Sequence, residues 1–146
     1  MCTVGAVEKS RSDKILAKLV MGNPDEITIA GVRIRKAVGL PGYWVSEHGE
    51  VWSTKIHQGS AGGRRMQLRT DSHGLPLVNL RGPAHEQITK VVSHLVTEAF
   101  IGPKPSGLEV CHYDGNPANN NICNLRYDTH AANGQDTIRY RKERRA

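Results

Sequence analysis

The chain has few of the residues that build large cores or brace small ones. It carries two Trp, four Tyr and one Phe in 146 residues, so its apolar packing must come from aliphatic side chains, and the core is expected to be modest and loop-rich. Its three cysteines, Cys2, Cys111 and Cys123, form no CxxC pair and no even framework. That argues against a structural zinc module or a disulfide scaffold and fits a reducing compartment. No apolar run approaches the ~20 residues that a transmembrane helix needs. The opening stretch MCTVGAVEKSRSDK also lacks the apolar segment of a secretory signal. A cytoplasmic protein with no membrane partner is the expectation.

What is abundant is positive charge. Lys and Arg number 20 against 14 Asp and Glu, a net charge of +6, with an isoelectric point near 9.5. By itself this moves the odds only slightly towards a polyanionic partner, because many basic proteins bind nothing in particular. The charge falls in three clusters: Arg33, Arg35 and Lys36; Arg64, Arg65 and Arg69; and Arg139, Arg141, Lys142, Arg144 and Arg145.

The apolar patterning predicts an α+β protein. Residues 10–21 read as a short amphipathic helix stopped by Gly22, Asn23 and Pro24. EITIAGVRIRKAV alternates as a strand pair turning at Ala30-Gly31, and LPGYWVSEHGEVWSTK reads as a hairpin turning at His48-Gly49. After the loop HQGSAGG come two further strands, RRMQLRT and LPLVNLRG. Ile88, Val91, Val92, Leu95 and Phe100 recur near helical spacing, predicting a helix from about Glu86 to Phe100. A short strand LEVCH, a polar loop, a return strand NLRYD and a final helix THAANGQDTIRYRKERR complete the chain.

The segment VCHYDGNPANNNICNLRYDTHAAN, residues 110–133, gathers six Asn, two His, two Asp and two Cys. Its order of strand, His, polar loop, Asn-Leu strand and helix with an early Asn resembles the HNH endonuclease family, whose site is a ββα-metal (His-Me) finger. The upstream block VVSHLVTEAFIGPKPSGLEV resembles the helix and connector that precede this finger in phage and homing-type members. LPGYWVSEHGEVWS resembles the nuclease-associated YxVSxxGxV motif found ahead of it. A lone His…Asn…Asn would be a weak signal; the full run is specific. The resemblance covers roughly residues 40–138. It divides the chain into a 1–30 extension, a β-rich DNA-binding region at 31–83, the nuclease finger at 84–140 and a basic tail at 141–146.

The resemblance implies a metal-dependent DNA endonuclease, of nicking or homing type and phage-encoded, acting in the host cytoplasm as monomer or homodimer on double-stranded DNA. His112 takes the place of the general base, and imidazole is the side chain suited to proton transfer near neutrality. Asn124 would pin the loop and keep His112 oriented. Asn133 matches the residue whose side-chain oxygen holds a divalent cation, with Mg²⁺ expected and Mn²⁺, Zn²⁺ or Ni²⁺ open. His130 reads equally as a second ligand, a phosphate contact or a helix-start residue. His94 reads rather as a packed core histidine. Arg64, Arg65, Arg69, Arg139, Arg141, Lys142, Arg144 and Arg145 are the expected DNA contacts.

Cys111 departs from the family pattern, in which many members carry Asp or His at that place as a metal ligand. A thiol is a poor partner for Mg²⁺. Asn133 with water and phosphate oxygens could hold the ion alone, the metal could be softer, or the site could be weakened. The last option keeps a second class open: a non-catalytic DNA-binding protein on a degenerate HNH scaffold.

Overall fold

The structure is a computed structural model that describes residues 25–55 and 64–145. The helix expected at 10–21 and the Gly-Ser loop at 57–63 lie outside these. The described elements are β1 (Glu26–Ile29), β2 (Val32–Lys36), β3 (Tyr43–Ser46), β4 (Val51–Ser53), β5 (Arg64–Arg65), β6 (Arg69–Thr70), β7 (Pro76–Arg81), β8 (Gln87–Val91), α1 (Val92–Phe100), β9 (Glu109–His112), β10 (Leu125–Asp128) and α2 (His130–Arg145). A single 3₁₀ turn, Ile122–Asn124, precedes β10. The architecture is α+β, as the patterning predicts.

The strands form three antiparallel sheets. The first runs β1-β2-β3-β4-β5, the second β6-β7-β8, and the third is the β9–β10 hairpin. The β1–β2 turn falls at Ala30-Gly31, where both residues have positive φ (53° and 80°), the geometry of a tight turn that matches strand twist. In the β3–β4 hairpin Trp44 lies directly opposite Trp52 and Val45 opposite Val51. The faces separate cleanly. Trp44 and Trp52 pack with Val32 and Ile34, while Tyr43, Val45 and Val51 join the main core with Val78, Leu80, Val92, Leu95 and Val96. Tyr43 also ties the first sheet to the second, its hydroxyl accepting the backbone N–H of Arg81 at 2.8 Å.

The helix expected over 86–100 is two elements. Gln87–Val91 pairs in register with Leu77–Arg81 as a strand, and only Val92–Phe100 is helical. Ile88 and Val91, three apart, share a face in a helix but point to opposite faces of a strand. The adjacent strand offers these β-branched residues a full ladder, and tertiary pairing overrides the local pattern. The division drawn at residue 83 consequently falls inside the β7–β8 turn, within one sheet. The basic tail expected at 141–146 is likewise continuous with α2 as far as Arg145.

Val92, Leu95 and Val96 are 0–1% exposed. Their i, i+3, i+4 spacing gives α1 one apolar stripe, and the helix contacts β2, β3, β7, β8, β9 and β10. Leu95→Ala should therefore cost about 2–5 kcal/mol, the range for truncating a well-enclosed aliphatic side chain. Urea unfolding measures it, and a loss under about 1 kcal/mol would mean the site collapses around the deletion.

Candidate active site

The β9–β10 hairpin and α2 carry the polar residues singled out above, and the intervening loop is built almost entirely from side-chain amides. Asn124 pins it from both directions. Its Oδ1 accepts the Asp114 N–H (3.1 Å), and its Nδ2 donates to Asp114 Oδ1 (2.9 Å) and to the Asn119 carbonyl (2.9 Å). Asp114 also accepts from the Asn116 N–H (2.8 Å) and from Asn119 Nδ2 (2.9 Å). Burial would raise the Asp114 carboxyl, but these hydrogen bonds outweigh it and hold the group below its ordinary value. Gly115 then lets the loop lie on α2. Its φ is +73°, and a Cβ there would fall 2.2 Å from the Asp136 carbonyl oxygen and 2.6 Å from Tyr140 Cβ. No other residue fits.

His112 closes β9 and is 8% exposed. Its ring nitrogen Nε2 lies 2.8 Å from Asn120 Oδ1, an acceptor, so Nε2 carries the proton and Nδ1 is the nitrogen with a free lone pair. Asn120 is itself 5% exposed. Orientation of the imidazole thus comes directly from Asn120, while Asn124 acts on the loop backbone.

Asn133 sits in the first turn of α2 and donates from Nδ2 to Glu109 Oε1 at 2.7 Å. His130 Nδ1 approaches the same carboxylate at 3.2 and 3.3 Å. The hydrogen bond from Asn133, with help from His130, depresses the Glu109 carboxyl below its ordinary value, so it is an anion at neutral pH. A carboxylate can only accept, which fixes the Asn133 amide with nitrogen towards Glu109 and leaves Oδ1 for another partner.

His112, Glu109 and Asn133 line one groove of about 890 Å³ together with His73, His94, Tyr140, Arg141 and Arg144. His94 stands on the open side of α1 and faces this groove rather than the core, contrary to its sequence reading. Enclosure there pushes its imidazole below the ordinary value, favouring the neutral ring. Cys111 lies elsewhere. It is fully buried and free, its thiol directed at the carbonyls of Glu109 (3.7 Å) and Thr129 (4.0 Å), and burial raises its pKa against the opposing pull of Arg126. It is absent from the groove lining. Cys123 is disulfide-bonded, where the cysteine spacing argued against a disulfide scaffold.

The expected DNA contacts divide in the same way. Arg141 and Arg144 line the groove. Arg139 is tied to the Tyr113 carbonyl and to Asp136, Arg65 pairs with Glu50 at 3.0 Å, and Arg69 reaches Asn79 at 3.2 Å. Arg64 and Arg145 are exposed, and Lys142 lies with Gln135 and Ile138 beside a second, shallower depression. Sequence reasoning passed over Glu109 and gave Asn120 no particular role. Neither had a local signal: alternation along β9 groups Glu109 with Cys111, its meeting with Asn133 depends on where α2 packs, and Asn120 looks like its neighbours.

The family model described as HNH endonuclease matches residues 90–135, a span that encloses His112, Asn124 and Asn133. That segment of the chain is similar to the HNH endonuclease family. It is 30% identical over 96 residues to the SPbeta prophage-derived protein YosQ of Bacillus subtilis (strain 168), named for the HNH homing endonucleases, across 66% of this chain and 52% of YosQ. It is also similar to the solved structure of the HNH homing endonuclease I-HmuI, described for its DNA binding and cleavage. The TM-score is 0.61 and the identity 29%, over 72% of this chain and 57% of that one. The chain spans about half the length of the curated relative it matches.

The Asp114 network generates a pH test. A carboxyl whose folded value is lowered contributes stability that is present above its unfolded value and lost as pH falls through the folded one. Asp114→Asn should therefore cost about 1–3 kcal/mol at pH 7, with the gap from wild type closing as pH drops below ~4. Urea titrations at pH 7 and pH 3 measure this, and a gap independent of pH would remove the charge from the account.

Proposed function

We propose that this chain is a metal-dependent DNA endonuclease in which His112 is the general base. The observation that carries the proposal is the 2.8 Å contact between His112 Nε2 and Asn120 Oδ1, an acceptor that favours a proton on that nitrogen. It leaves Nδ1 to take a proton from water, in a groove shared with two arginines and an anionic Glu109–Asn133 pair.

The residues present fit a hard divalent ion. Asn133 Oδ1 and the Glu109 carboxylate are oxygen donors, and His130 adjoins them. Among the described residues no three His, Cys, Asp or Glu side chains gather as a metal cluster, so water and phosphate oxygens would complete the shell, as suits Mg²⁺. With its thiol turned inward, Cys111 plays no part in this reading. When bound, the cation would neutralise charge building on the phosphate and the departing oxygen. His112 accepts the proton of the attacking water, Asn120 keeps the ring aimed, and Glu109 keeps the amide of Asn133 from rotating. Arg141 and Arg144 supply guanidinium groups for flanking phosphates of double-stranded DNA. The rival reading, a DNA-binding protein without catalysis, predicts that supercoiled plasmid stays intact with every divalent ion.

Incubation of supercoiled plasmid with Mg²⁺, Mn²⁺ or Zn²⁺, and with EDTA, tests the reading by the appearance of nicked and linear product. His112→Ala should lower the cleavage rate by ~10²–10⁴ while duplex affinity stays near wild type. A folded variant that turns over normally would sink the assignment. Glu109→Ala should raise the divalent concentration for half-maximal cleavage by about 10–100-fold, the usual cost of losing a group that orients a metal ligand. Titration of Mn²⁺ binding to both proteins checks the same shift without cleavage.

A further inference from the structure

We infer that the β3–β4 turn is a positioning clamp for the His112 imidazole, and not a DNA-reading loop. The inference rests on His112 being the base, and it concerns residues outside the segment that the family model matches.

The turn is locked upon itself. Ser46, fully buried, accepts at Oγ from the N–H groups of His48 (3.2 Å) and Glu50 (3.1 Å). Three consecutive turn residues then meet three consecutive residues of the finger loop. The Glu47 carbonyl accepts the Ile122 N–H at 2.8 Å. His48 Nδ1 lies 2.8 Å from Asn121 Nδ2, a donor, so the imidazole accepts there. Gly49, buried at φ +88°, comes so near the loop that a Cβ would stand 3.1 Å from Asn120 Cβ and 3.3 Å from Val92 Cγ1. Asn120 sits at the centre of this contact, and its Oδ1 is the group that holds His112 Nε2 at 2.8 Å. A path of direct contacts therefore runs from the hairpin tip through Asn120 to the ring.

The charge of the tip agrees. It presents Glu47 and Glu50, with side chains 13% and 7% exposed and paired to Arg33 and Arg65. With both carboxylates already paired, the tip offers no net positive charge to a phosphate backbone. Its partner is the loop it already touches. A small rotation of the base away from its water would cost rate without changing how DNA is held.

The test uses the full chain with His48→Ala, His48→Asn and Gly49→Ala. Ala at 48 removes the acceptor facing Asn121, and Asn restores an oxygen at the position of Nδ1. On plasmid or a duplex oligonucleotide, His48→Ala should lower kcat by about 10–100-fold with KM and duplex affinity unchanged, and His48→Asn should recover most of the loss. Ring ¹⁵N spectra, with the His112 signal assigned by its loss in His112→Gln, supply a readout that needs no cleavage. Wild type should show His112 as the single Nε2–H tautomer, and His48→Ala and Gly49→Ala should both mix the tautomers. A raised KM with kcat and the ring spectrum unchanged would overturn the clamp and make the tip a DNA contact. An unchanged His112 spectrum in folded His48→Ala overturns it in any case. If wild type fails to cut while the spectra change as expected, the clamp stands and it is the nuclease reading that fails.

Discussion

The buried face of α1 is the constraint on which the other elements depend. A nine-residue helix is marginal alone, and so is an isolated two-stranded hairpin such as β9–β10. Each becomes stable only by covering the other's apolar surface. Val92, Leu95 and Val96 supply that surface, and α1 touches strands from all three sheets. The same helix turns Ser93 and His94 to the groove and brings Val92 against Gly49. One short segment thereby fixes the hairpin, the finger and the groove relative to each other.

The finger loop has no room for a core of its own and is ordered by hydrogen bonds instead. Asparagine suits this because one planar group both donates and accepts. The amides that crowd the sequence have different tasks: Asn124 bridges Asp114 to the Asn119 backbone, Asn120 holds His112, and Asn121 reaches His48 and caps the 3₁₀ turn through the Cys123 N–H. Charge is then concentrated on two carboxylates, Asp114 and Glu109, both kept ionised by donors aimed at them.

Much of this was legible before the fold was known, for physical reasons that can be named. Ala30-Gly31 and His48-Gly49 announced turns because few residues accept positive φ. The His–loop–Asn–helix order announced the finger. Residues 87–91 were misread because Ile88 and Val91, three apart, share a face only in a helix, while the strand is decided by its ladder with β7 across the intervening turn. Cys111 raised a doubt about the metal that came from its place in the sequence; its side chain faces Arg126 and the Thr129 carbonyl instead. Contacts such as His48 to Asn121, 73 residues apart, have no local signature at all.

The basic residues show why position outweighs number. Arg139 and Arg65 are engaged with Asp136 and Glu50, so part of the +6 net charge holds the protein together. Arg141 and Arg144 remain at the groove on the helix that carries Asn133. At 1.5 Å per residue, Arg141 lies about 12 Å along α2 from Asn133. Under the proposed reading that distance corresponds to about three or four nucleotides of one strand at 3.4 Å each. The guanidinium groups would thus grip phosphates beside the cut and not the scissile one, leaving that to the cation and Asn133. Such contacts fix register without reading bases. If α2 supplies only register and the β3–β4 tip is occupied by the finger loop, sequence choice has to come from other surfaces of the chain.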